Sequence, residues 1–247
     1  MNILIFGNHT FPDISFTVNP KSGLEISCKN NHVLNYEGRE RELRWIDLYH
    51  RSNFRHLTKF VKASEQHSDL HNFEREWPKI KEDLLKIANT EGERAFLTDY
   101  IYLCEKDWTT EADSDVSIIA SLPALIPQVW LNWIHYDSKD ARRAERIKEE
   151  PFRVDFVMFT ENRKLIIEID GTSHFSEMLD LDEDTGKVKY QPSMKRYTEH
   201  LKKDRWLRGQ GWEVWRFSDF EVVTAEKGGS FPLLWEMGFL GLFHKGQ

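Results

Sequence analysis

Phe152-Arg153-Val154-Asp155-Phe156-Val157-Met158-Phe159, followed by Leu165-Ile166-Ile167-Glu168-Ile169-Asp170-Gly171-Thr172-Ser173-His174, is the part of the chain that decides its fold. Both apolar runs have the length of buried strands. Three carboxylates and a histidine sit at their edges. Acids are rare in buried strands unless a cation holds them. A divalent metal is the simplest cation to invoke.

Residues 153–159 and 165–170 read as two antiparallel strands joined through Glu161-Asn162-Arg163-Lys164. Opposed residues of such a pair share a face, and side chains alternate along each strand. A two-residue turn at Glu161-Asn162 sets Asp155 opposite Glu168. A turn at Asn162-Arg163 sets it opposite Asp170. Either register gathers the three acids on one face at one end of the hairpin, where they repel unless neutralised.

The 247 residues allow one or two domains, and a hydrophobic fraction of 40% supports a full core. A net charge of −7 gives no global basic footprint, so any contact with nucleic acid must rest on local patches. Cys28 and Cys104 show neither metal nor disulfide spacing, as expected in a reducing compartment. The opening MNILIFGNHTF lacks the charged and apolar regions of a signal peptide. No apolar run approaches the ~18 residues of a membrane span. The expectation is a soluble cytoplasmic protein without a membrane partner.

Outward from the hairpin, residues 2–37 read as short strands separated by Asn-Pro and Lys-Asn-Asn turns. Helical spacing of apolar residues runs from 39 to 63, from 69 to 88 and from 91 to 105. Pro123 and Pro127 confine the helical part of 120–133, and Pro127-Gln-Val-Trp-Leu reads as a strand entry. The acidic stretch 176–192 reads as a loop. A helix follows over 193–209, then a strand over 212–217, and an apolar, Gly-rich tail closes the chain. A boundary near residue 89 divides an accessory region, 1–89, from a second domain, 90–247. Five histidines of the first part (His32, His50, His56, His67, His71) have no metal-ligand spacing.

Five segments together resemble the PD-(D/E)XK, restriction-endonuclease-like nucleases, in the branch that includes very-short-patch-repair endonucleases and small relatives. They are Glu93 in Thr-Glu-Gly-Glu-Arg-Ala-Phe, Ile126-Pro-Gln128-Val, Arg153-Val-Asp155-Phe, Ile167-Glu168-Ile-Asp170-Gly171-Thr-Ser-His174, and Lys203-Asp204-Arg-Trp-Leu207 with Gly211-Trp-Glu-Val-Trp-Arg216-Phe217. The resemblance spans residues 90–225. It implies an α/β fold, a mixed central sheet flanked by helices, here with an N-terminal β-plus-helix accessory region. One departure is that Asp170 stands where the superfamily's lysine is usual, two residues after Glu168. Lys203, or failing it Lys202, is the expected substitute.

The resemblance implies metal-dependent hydrolysis of phosphodiesters in DNA, in defence against foreign DNA or in repair, with RNA not excluded. Mg²⁺ takes hard oxygen ligands and Mn²⁺ substitutes for it. Asp155 and Glu168 are the expected direct ligands, with the Ile169 carbonyl beside them and Glu93 holding a water or second ion. Asp170 is a further ligand or orients His174, and His174 moves a proton. Lys195, Arg196, Lys202, Arg205 and Arg208 make the helix over 193–209 net basic and suited to phosphate contacts. Arg142, Arg143 and Arg146 are a second basic group. Trp206, Trp212 and Trp215 are candidates for base stacking. A homodimer or protein partner would use residues 1–89 or the C-terminal tail. The alternatives are a non-cleaving module that binds nucleic acid or a partner, and a toxin-type RNase.

Overall fold

The structure, a computed structural model, describes residues 2–20, 23–36, 42–51, 66–106, 116–131, 152–160, 163–181, 188–223 and 234. The chain folds into β1 (Asn2–Gly7), β2 (Ile14–Asn19), β3 (Gly23–Cys28), β4 (Asn31–Tyr36), α1 (Trp45–Arg51), α2 (Gln66–Ile87), α3 (Glu91–Lys106) and α4 (Val116–Ser121). It continues with β5 (Ile126–Leu131), β6 (Phe152–Phe159), β7 (Lys164–Asp170), β8 (Ser176–Leu181), β9 (Val188–Pro192), α5 (Met194–Gly209), β10 (Glu213–Ser218) and α6 (Asp219–Val223).

A six-stranded sheet in the order β10-β7-β6-β5-β1-β4 forms the centre. The β10–β7 pair is parallel and the other pairs are antiparallel, so the sheet is mixed, with helices packed on it. The parallel pair is joined through α5, the kind of crossover such pairing requires. Val154, Phe156 and Val157 on β6, and Leu165, Ile166 and Ile167 on β7, are fully buried. Both faces of these strands are therefore covered, which explains their unbroken apolar runs. Phe96 of α3 fixes one layer, with ring centroids 5.8 Å from Phe156 and 5.3 Å from Phe217.

The sheet runs across residue 89: β1 pairs with β5, and one core cluster draws on Leu4, Phe6 and Leu34 as well as Val129 and Phe156. The β2–β3 hairpin closes a smaller cluster over Ile3, Ile5 and Val33.

The stretch 176–192, expected to be a loop, contains the antiparallel pair β8–β9. Every described residue of these strands except Ser176 is exposed. Strands without a buried face carry no apolar alternation, and the acids, Gly186 and Pro192 mimic loop composition. Of the helix expected over 39–63, α1 is described; residues 37–41 and 52–65 lie outside the described residues. So do 107–115, 132–151 with Arg142, Arg143 and Arg146, and the tail apart from buried Leu234. Among the described residues, no helix is long and apolar enough to cross a membrane. Cys28 and Cys104 are free thiols.

Candidate active site

The strand registers set one row of residues across the end of the central sheet. Arg216 pairs with Glu168. The β6–β7 ladder pairs Phe156 with Ile167, so the next position outward sets Asp155 level with Glu168, the first of the two registers expected. The β5–β6 ladder pairs Pro127 with Phe156 and Val129 with Val154, leaving Gln128 level with Asp155. Phe6 pairs with Val129, which brings Gly7 level with Gln128, and Gly7 pairs with Asn31. Six strands thus contribute Arg216, Glu168, Asp155, Gln128, Gly7 and Asn31 in order.

Asp155 and Glu168 are the centre of this row. Glu168 is buried at 2% exposure, and its Oε1 accepts from Lys203 Nζ at 2.6 Å. Lys203 reaches in from α5, donates also to the Arg153 carbonyl at 3.2 Å, and lies over the Phe152 ring. Asp155 Oδ2 accepts from the Ile169 amide at 2.8 Å, which draws that peptide against the carboxylate. Burial, Glu168 and Glu93 together push the Asp155 carboxyl up to about 7, against the pull of the Ile169 amide and Lys203.

Glu93 joins from the start of α3 and is also buried. Its Oε2 accepts from the Asn89 amide at 2.7 Å and from Gln128 Nε2 at 2.6 Å. Thr90 Oγ1 accepts from the Glu93 amide at 3.1 Å, so this end of α3 is a Thr-x-x-Glu capping arrangement. Glu93 therefore caps its helix and also faces the acids. Gln128 is the residue that sequence reasoning placed only as part of a strand entry. It is fully buried, its Oε1 has no partner among the described residues, and its φ is 55°. A left-handed backbone at a non-glycine residue is strained and persists only where its surroundings hold it. The geometry turns the Gln128 amide onto Glu93 beside Asp155.

A second group lies behind Glu168 on β7. Arg216 Nη1 donates to both Asp170 oxygens at 2.7 and 2.8 Å, while its Nε and Nη2 hold Asp204 of α5. His174 Nδ1 stands 2.6 Å from Asp170 Oδ1, off the direction of a well-formed hydrogen bond but close enough for an ion pair. Burial alone would raise Asp170, but His174 and Arg216 outweigh it and bring the carboxyl down to about 2. Asp170 in turn raises His174. The His174 ring stacks on His200 of α5 with centroids 5.1 Å apart. Burial, Arg216 and His174 lower His200, which favours the neutral ring. Asp170, His174 and His200 offer ligand atoms within 4.8 Å of one another and could hold a metal ion. His200 was not singled out by its sequence, since a lone histidine on a polar helix matches no ligand spacing.

The expected basic helix is α5. Leu207 is its one buried residue, and Lys195, Arg196, Lys202, Arg205 and Arg208 are all exposed. Arg196 also ties the helix to the Ser173 carbonyl. Lys202 points to solvent and Lys203 inward, so the geometry brings the first of the two expected lysines to the acids. Trp206, Trp212 and Trp215 pack against the core: Trp206 edge-on to Phe152, Trp212 edge-on to Phe159, and Trp215 with its Nε1 on Glu213. All three are half-buried, and Trp212 and Trp215 line an open pocket with Arg208, Glu213 and Val214. Comparison with protein-family models, curated proteins and solved structures returned no match for this chain.

Proposed function

We propose that the chain is a metal-dependent nuclease of restriction-endonuclease-like type, hydrolysing phosphodiester bonds in DNA. The observation that carries this reading is the meeting of Asp155, Glu168 and Glu93 at one end of the sheet, with the Lys203 ammonium among them. Two of these acids are nearly inaccessible, and Asp155 is held far from its ordinary ionisation. Of the three, Lys203 hydrogen-bonds Glu168, and carboxylate oxygens are the hard donors a divalent cation takes; the group of described residues whose ligand atoms already lie within 4.8 Å of one another is Asp170, His174 and His200. Asp155 and Glu168 would hold Mg²⁺ directly. Glu93, already bound by Gln128 and the Asn89 amide, would hold it through water.

Bound there, Mg²⁺ supplies Lewis-acid stabilisation of charge on the phosphate and makes water more acidic. Lys203 pairs with Glu168 and adds a positive charge where the phosphate's negative charge grows. Gln128 fixes Glu93, leaving its own Oε1 to orient a water. His174, raised by Asp170, holds a proton that it can pass to the departing oxygen. Arg216 locks Asp170 and so the His174 ring. The exposed cations of α5 attract the backbone without reading sequence.

The test is cleavage of plasmid, linear duplex, single-stranded DNA and matched RNA with Mg²⁺, Mn²⁺ or EDTA. Wild type should cut with metal and not with EDTA. Asp155→Ala and Glu168→Ala should lose activity at least a hundredfold, and Lys203→Met should lose it by a similar factor. A folded wild type that cuts none of these substrates with either metal would overturn the reading. Cutting confined to RNA would move the substrate class and keep the site.

A further inference from the structure

The row of residues across the sheet does not end at the acids. Beyond Gln128 it reaches Gly7 and Asn31, where the structure opens into a polar pocket of about 410 Å³. That volume suits a nucleotide-sized group. Its walls come from the β1–β2 loop (Asn8, His9), the β3–β4 turn and β4 (Asn30, His32), the segment between α2 and α3 (Asn89), and Arg153. Most of these residues belong to the N-terminal region, to which the sequence alone assigned no chemistry.

Arg153 stands two residues before Asp155 on β6 and so shares its face. Its backbone carbonyl accepts from Lys203, while among the described residues no carboxylate pairs with its guanidinium. Lys86, at the rim, is already paired with Glu82 and Asp83, so Arg153 is the pocket's cation that no carboxylate among the described residues claims. The last carbonyls before α3, Ala88 and Asn89, are taken up by Arg94 Nη1, so they do not present bare acceptors to the pocket. Gly7 has φ of 127°, and a Cβ there would stand 3.2 Å from the His32 ring. The loop can come this close to β4 only because that residue is glycine. Two strand spacings separate Gly7 from Asp155, about 10 Å. A backbone passing over the acids from α5 would reach the pocket within one or two nucleotides.

We propose that this pocket binds a backbone phosphate of the substrate, held by Arg153, on the side of the carboxylates away from α5. It rests on the nuclease reading for its substrate, and it gives the N-terminal region a part in binding. Arginine is the side chain suited to a phosphate at such a site, since its planar fork makes two parallel bonds.

The experiment is fluorescence anisotropy in EDTA, so that nothing is cut. The probes are fluorescein-labelled 20-nucleotide single strands and duplexes of DNA and of RNA, titrated over a range of salt. Arg153→Ala should weaken binding about tenfold and reduce the slope of log affinity against log salt by about 0.7 to 0.9, the loss of one phosphate contact. Arg153→Lys should restore the slope and only part of the affinity. His9→Glu, on an exposed loop, should weaken the same probes by adding a carboxylate at the mouth, and stands in if Arg153→Ala fails to fold. Unchanged affinity and slope in folded Arg153→Ala, or no probe bound by wild type, would overturn the proposal. Arg153-dependent binding by a protein that never cuts would leave the pocket standing and remove the nuclease reading. Cutting and binding unaffected by Arg153→Ala would do the reverse.

Discussion

Asp155 concentrates the tension of the site in one side chain. An unfolded aspartate ionises near 3.8, and in the fold this one is pushed up to about 7. Between those values the unfolded chain has lost its proton while the folded protein keeps it. The contribution of Asp155 to metal-free stability therefore falls as pH rises from 4 to 7, the reverse of an ordinary salt-bridged aspartate. Asp155→Asn keeps an oxygen to accept from the Ile169 amide and removes the charge. It should raise metal-free stability at pH 7.5 by on the order of 2 kcal/mol and flatten that slope. Thermal unfolding from pH 4 to 8 in EDTA reads both effects, and a variant no more stable than wild type at pH 7.5 would refute the account. At this scale much of the site was legible. The period of two in the strands put Asp155 and Glu168 on one face, and Lys203 was the first of two lysines expected beside the acids. Gln128 was not legible as a functional residue. Its left-handed backbone lies between the pairs Pro127–Phe156 and Val129–Val154 of the β5–β6 ladder, and a glutamine in Ile-Pro-Gln-Val carries no local signal for it.

Elements place these residues, and the start of α3 shows how tightly. A Cβ on Gly92 would lie 2.9 Å from Ile169 Cγ2 and 3.2 Å from Asp219 Cβ. The first turn of α3 thus presses onto the end of β7 and the start of α6, and that approach delivers Glu93 to the acids. Gly92→Ala should cost about 1–3 kcal/mol by overpacking, despite alanine's better helix propensity. It should also lower activity more than a surface Gly→Ala of equal stability loss, because Glu93 moves with the helix. Denaturant titration and cleavage rates of the variant measure the two separately; a stabilised Gly92→Ala would show that the contact is not tight. Elements with a buried face were readable from sequence: β5, β6, β7 and α3 all lie close to where apolar spacing set them. The β8–β9 hairpin was not, because its residues face water and strand spacing is visible only when one face is buried. α5 lies between these cases. Ser193 and Gly211 mark its ends, with Gly211 at φ of 80°, while its nearly unbroken polar surface conceals which residues turn inward.

Over the whole molecule, the acids lie where separate segments meet. β6 and β7 bring Asp155 and Glu168, α3 brings Glu93, and α5 brings Lys203. An ion bound among the acids would hold these segments together only in the folded chain, so its binding free energy would add to stability. At a hundred times its dissociation constant, Mg²⁺ should stabilise the fold by about 2.7 kcal/mol. For a chain of this size that is a rise in Tm of roughly 5–10 °C. Asp155→Ala and Glu168→Ala should abolish the rise. His200→Ala should leave it intact, since Mg²⁺ prefers oxygen ligands and His200 belongs to the imidazole-bearing group with Asp170 and His174. Scanning calorimetry of the four proteins with and without Mg²⁺ decides the matter without any assay of cutting. A rise that survives loss of Asp155 and Glu168 but vanishes with His200 would place the principal metal at Asp170, His174 and His200, and the three acids would then be a buried network held by Lys203, Gln128 and the Ile169 and Asn89 amides.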